Sequence, residues 1–130
     1  MTQEEKELLL KDLCARLPYN ILAECGTDYD FQNDITDTVK LLSLDIDSKV
    51  CRVQAGDYVF HESLDTIKPY LRPMSSMTEE ENDEYYKTFD WDYTIKGTPF
   101  DWLNAHHFDY RGLIEKGLAL EAPEGMYKIN

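Results

Sequence analysis

The run KLLSLDIDSKVCRVQAGDYVFHE, residues 40–62, most constrains what this chain can fold into. Leu42, Leu44 and Ile46 alternate with Ser43, Asp45 and Asp47, the period-two pattern of a strand with one wet face. Asp47-Ser48 can turn the chain into KVCRVQ, and Ala55-Gly56 can turn it again into DYVFHE. Two short turns between three such runs read as a three-stranded antiparallel meander. A sheet with one apolar face needs a cover, so helices are expected on the other side. YNILAEC reads as a further strand ahead of the polar loop GTDYDFQNDITD.

The cover is legible at the N-terminus. Thr2 and Glu5 form a capping-box pattern, in which hydroxyl and carboxylate each satisfy a free backbone N–H. Leu10, Leu13, Cys14 and Leu17 follow one helical stripe, expected to be buried against Leu42, Leu44 or Ile46. Pro18 biases Leu17 away from helical geometry, so the helix ends near Arg16. Between residues 63 and 77, Pro69 and Pro73 leave room for a short helical turn and irregular chain. Thr78 and Glu81 repeat the capping box and open a second helix to about Lys87. Thr98, with Pro99 at the first helical position, opens a third, to about His106. Asp109 is placed to cap one more short helix ending at Gly117, and LALEA, the Pro123–Gly125 turn and MYKI are compatible with a final hairpin. The expected fold is α+β: an N-terminal helix on a small antiparallel meander, then a helical C-terminal segment with a terminal hairpin, all in one domain over residues 1–130.

The phrase aromatic-Asp-aromatic occurs three times, at Phe89-Asp90-Trp91, Phe100-Asp101-Trp102 and Phe108-Asp109-Tyr110. Asp101 and Asp109 stand where helix starts need an acceptor, which makes Phe100, Trp102, Phe108 and Tyr110 packing residues beside caps. Asp90 has no such role. The spacings differ, so no periodic surface would present all three copies.

Charge narrows the functional classes. Twenty-six acids face 13 Lys and Arg, a formal net charge of -13. Such a surface repels phosphate backbones and anionic membranes, so neither nucleic acid nor membrane is an expected partner. Cys14, Cys25 and Cys51 are odd in number and never in C-x-x-C, and the N-terminus MTQEEKELLLKD is unlike a signal peptide. These features point to a reduced, cytoplasmic protein. No H-x₃-H or C-x₂-C spacing occurs and the glycines do not cluster, so no metal, cofactor or catalytic residue is expected.

Three stretches, EEKELLLKDLCARLPY, IKPYLRPMSSMTEEE and DWLNAHHFDYRGLIEKGLALEA, resemble a family of small uncharacterised proteins from anaerobic gut bacteria and their phages or mobile elements. The resemblance covers residues 4–19, 67–81 and 101–122 and implies a cytoplasmic, accessory role, with no activity or catalytic residue to carry over. NAHHFDYRGLIEKGLALEAPEGMYKI also resembles the end of a winged-helix domain, whose cations would be Arg111, Lys116 and Lys128.

The leading expectation is a non-enzymatic, acidic accessory protein that binds another protein. Its surface is expected around Trp91 and Tyr93 with the preceding acids Glu79, Glu80, Asp83 and Glu84. Aromatics are enriched at interface hot spots, and acids steer a basic partner. The alternatives are a winged-helix-like transcriptional regulator and a small enzyme using His61, His106 or His107.

Overall fold

The computed structural model describes residues 1–25, 38–89 and 98–127. In chain order the elements are α1 (Gln3–Arg16), β1 (Leu22–Cys25), β2 (Thr38–Asp45), β3 (Val50–Ala55), β4 (Tyr58–Ser63), β5 (Ile67–Leu71), α2 (Glu79–Lys87), α3 (Pro99–Ala105) and β6 (Leu120–Glu121). The strands form one mixed sheet in the order β4-β3-β2-β1-β5-β6. The fold is α+β, with α1 over the meander β2-β3-β4 and, among the described residues, two further α-helices between β5 and β6. Among the described residues, no helix is long and apolar enough to cross a membrane.

α1 starts as its capping box requires. Thr2 Oγ1 accepts the Glu5 amide at 3.1 Å, and Glu5 Oε1 accepts the Thr2 amide at 2.8 Å. It passes into a single tight turn, Leu17–Tyr19, which Asn20 closes in the left-handed conformation. The buried stripe is rotated by one residue from the expected one. Leu9, Asp12, Leu13 and Arg16 face inward, Leu10 and Leu17 are half-buried, and Cys14 is exposed. The reason is an ion pair. Asp12 and Arg16 sit one turn apart and are both fully buried, bonded at 2.8 Å. Hydropathy places a charge outside, so a stripe that carries a paired Asp and Arg is invisible to it.

The meander has the expected turns, but its inward residues change phase. Val39 and Leu41 are buried in the first half of β2, and Leu44 packs on the core in the second. Leu41 stands opposite Val53 while Ser43 stands opposite Arg52, so Leu42 is the extra residue of a bulge. Ile46 lies past the strand and is exposed.

Three further expectations are corrected. The segment containing Pro69 is β5, a strand between β1 and β6 rather than irregular chain. Pro69 faces Ala23 of β1, and β6 pairs only with Tyr70 and Leu71, so its missing N–H falls just outside the β6 ladder. Residues 109–117 make turns, not a helix. Asp109 still caps them, accepting the amides of Leu113 at 2.8 Å and Ile114 at 3.0 Å. Finally, β6 adds in parallel to β5, and no hairpin partner for it occurs among the described residues.

Two apolar clusters result. The larger joins α1 to the inner sheet face through Leu9, Leu13, Ala23, Leu41, Cys51 and Val53, with Leu113 and Leu118 from the C-terminal turns. The smaller is Trp102, Leu103 and Phe108, flanked by Met77, Tyr85 and Tyr110. Arg16 links the two: its Nη2 donates to the Phe108 carbonyl at 2.6 Å, and its guanidinium lies 5.3 Å from the Tyr110 ring centre.

Candidate protein-interaction surface

α2 is held to the body by two anchors. Thr78 Oγ1 accepts the Glu81 amide, and Glu81 Oε1 returns to the Thr78 amide, completing the second capping box. The same carboxylate takes a bidentate grip from Arg72, with both N···O distances 2.7 Å. That guanidinium holds the Glu81 carboxyl below its ordinary range, against the opposing effect of burial. Arg72 also lies 4.2 Å from the Phe108 ring centre, which ties the start of α2 to the smaller cluster. The second anchor is Tyr85, one turn on, whose ring centre is 5.4 Å from that of Trp102.

Glu81, Tyr85 and Thr88 thus define the inner stripe of α2, and the remaining positions are turned outward. Glu79, Glu80, Asp83 and Glu84 are all exposed, with Lys87 the one cation of the helix. Two large rings share this outer side. Tyr86 is 64% exposed and Phe89 is 59% exposed, each packed on Tyr85 alone among the described rings. Trp91 and Tyr93, the aromatic half of the expected site, lie outside the described residues, as does Asp90. The structure therefore exposes the four expected acids on α2, with Tyr86 on the same helix and Phe89 just past its end also exposed.

The acidic face continues into a cleft of about 730 Å³ between the start of α2 and the C-terminal turns. Glu80, Glu81, Glu121 and Glu124 line it, with Arg72 the one cation in the wall. Because Arg72 is committed to Glu81, the remaining carboxylates leave the cleft strongly negative.

The other copies of the repeated phrase are structural on their acids. Asp101 completes a third capping box with Thr98, at 2.8 and 3.2 Å. Trp102 and Phe108 are buried and stack 5.8 Å apart. Phe100 is the exception: it is 61% exposed and rests on Tyr110.

The histidines do not converge. His106 stacks on Trp102 at 4.0 Å, with its Nδ1 2.9 Å from the Trp102 carbonyl. His107 is left-handed, stacked on Tyr127 at 3.7 Å, and burial pushes its pKa down to about 4. His61 stands on β4, on the outer side of the sheet. Burial likewise pushes the Cys51 thiol up to about 12, far from a nucleophilic thiolate. Among the described residues, no three His, Cys, Asp or Glu are grouped to hold a metal ion. Of the cations named for a winged helix, Arg111 donates to buried Asp12 at 2.8 Å and Lys128 lies outside the described residues. The Arg72–Glu81 clamp escaped the sequence, since partners nine residues apart in different elements leave no periodic signal. Comparison with known protein families, curated proteins and solved structures finds no match to this chain.

Proposed function

We propose that the chain is a non-enzymatic, acidic accessory protein of the cytoplasm that binds a basic protein through the outer face of α2. One observation carries this reading. Glu79, Glu80, Asp83 and Glu84 are exposed on a helix anchored from its other side, which also exposes the Tyr86 ring and, just past its end, the Phe89 ring. Exposed aromatics supply contact area at small entropic cost, and exposed carboxylates select a cationic partner and speed its approach. The neighbouring cleft, walled by Glu80, Glu121 and Glu124, suits a Lys or Arg side chain of that partner. The net charge of -13 favours such a partner over nucleic acid. The resemblance to small proteins of gut bacteria and their mobile elements favours an accessory role in that setting.

The test is comparative capture from the native host lysate. Wild-type protein, a Tyr86→Ser/Phe89→Ser variant and a variant with Gln at 79, 80, 83 and 84 are immobilised equally, and retained proteins are identified by mass spectrometry. The expected result is a basic protein retained by wild type and lost from both variants. Melting temperatures should stay close to wild type, because substitutions at exposed positions shift stability by only about 0.5 kcal/mol. Retention of the same proteins by all three would remove this face as the interface. An acidic or nucleic-acid-bound capture would contradict the partner's chemistry.

A further inference from the structure

Three of the four arginines are committed within the fold. Arg16 and Arg111 hold Asp12, and Arg72 holds Glu81. The fourth, Arg52, has no carboxylate within ion-pair distance among the described residues. It is exposed on the face of β3 opposite to buried Cys51 and Val53. Its cross-strand neighbours are Ser43 on β2 and His61 on β4, both exposed, so the three side chains form one row across the meander. The bulge in β2 sets this row. In an unbroken ladder, the residue after Leu41 would face Arg52, which would be Leu42; the bulge substitutes Ser43.

The row lines a depression of about 330 Å³, with Leu44, Asp45, Ser48 and Val50 completing the wall. Asp45 is the opposing charge there. Its Oδ1 accepts the amides of Asp47 at 3.0 Å and Ser48 at 3.2 Å, and the Ser48 bond above all holds its carboxyl below the usual range. That carboxylate is turned onto its own turn rather than onto Arg52.

We propose that Ser43, Arg52 and His61 form a binding site for the phosphate monoester group of a small molecule. Side by side along the row, a planar guanidinium fork, an imidazole N–H and a hydroxyl supply the donors that the oxygens of a phosphoryl group accept from. The depression is at the small end of the range for ligand sites, about 300–1,000 Å³. A polyanion such as nucleic acid would meet the rest of a surface carrying a net -13, so the ligand is small.

The test is a titration of the amide NMR spectrum with phenyl phosphate at constant ionic strength, with acetate as the control anion. Arg52→Gln and Ser43→Ala are compared with Lys40→Gln, which removes an exposed cation one row away, opposite Gln54. The expected result is saturable shifts centred on residues 43, 52 and 61. Affinity should fall by at least about tenfold in Arg52→Gln and stay unchanged in Lys40→Gln. No saturation, an equal response to acetate, or equal losses in Arg52→Gln and Lys40→Gln would each overturn the site. The variants change exposed residues, and their unperturbed spectra elsewhere would establish that they fold.

Discussion

Replacing Asp12 by Asn tests how the helix is held to the sheet. The side chain is fully buried and accepts three bonds: from Arg16 Nε at 2.8 Å, Arg16 Nη2 at 3.2 Å and Arg111 Nη1 at 2.8 Å. Asn preserves the volume but removes the charge that two guanidinium groups share. Arg16, itself without solvent exposure, would be left as an uncompensated buried cation. Removing one partner of a buried pair costs about 3–5 kcal/mol. For a chain of this size that is a fifth or more of a total of about 5–15 kcal/mol. Urea unfolding followed by tryptophan fluorescence should show the midpoint falling by about 2 M at unchanged slope, for a slope near ~2 kcal/mol/M. The double replacement Asp12→Leu with Arg16→Met should recover most of the loss, because well-packed apolar groups can replace a buried pair at little cost. An Asn variant with the wild-type midpoint would mean that the pair is solvated and that the rotation of α1 has another cause.

Other outcomes follow from the same packing. Leu13→Ala should cost about 2–5 kcal/mol in the same assay, while Cys14→Ala, on the exposed side, should change the midpoint little. Glu81→Gln should lower stability at neutral pH. Since the folded carboxyl is held below its unfolded value of 4.5, its contribution is present above that value and is lost as pH falls through the folded one. The urea midpoints of wild type and Glu81→Gln should therefore converge in acid. The His107 ring should titrate by NMR near pH 4 rather than 6.5. Between those values the unfolded state takes up a proton that the folded state refuses, so stability falls as pH drops across that window; a midpoint near 6.5 would contradict burial of the ring.

What the sequence reveals and conceals follows physical lines. The capping boxes at Thr2 and Thr78 were legible because they are local, with both partners three residues apart; at Thr98 the N-cap was legible and the reciprocal bond from Asp101 was not. The meander was legible because its turns are short and its alternation is regular on either side of the bulge. The bulge itself was hidden, since an extra residue leaves composition unchanged and shifts only the phase. The buried stripe of α1 was misplaced because an Asp–Arg pair occupies it. β5 was missed because Pro69 argues against a strand until the neighbouring ladder is known. Of the candidate surface, the acids were readable as a run. The capping box singled out Glu81 locally, but its clamp by Arg72 was not readable, because that partner meets it across space.

Hydrogen–deuterium exchange on the protein alone and with its captured partner tests the proposed interaction most directly. Added amide protection over residues 79–89, removed by Tyr86→Ser/Phe89→Ser, is the expected result. Protection confined to other elements, with α2 exchanging as in the free protein, would contradict it.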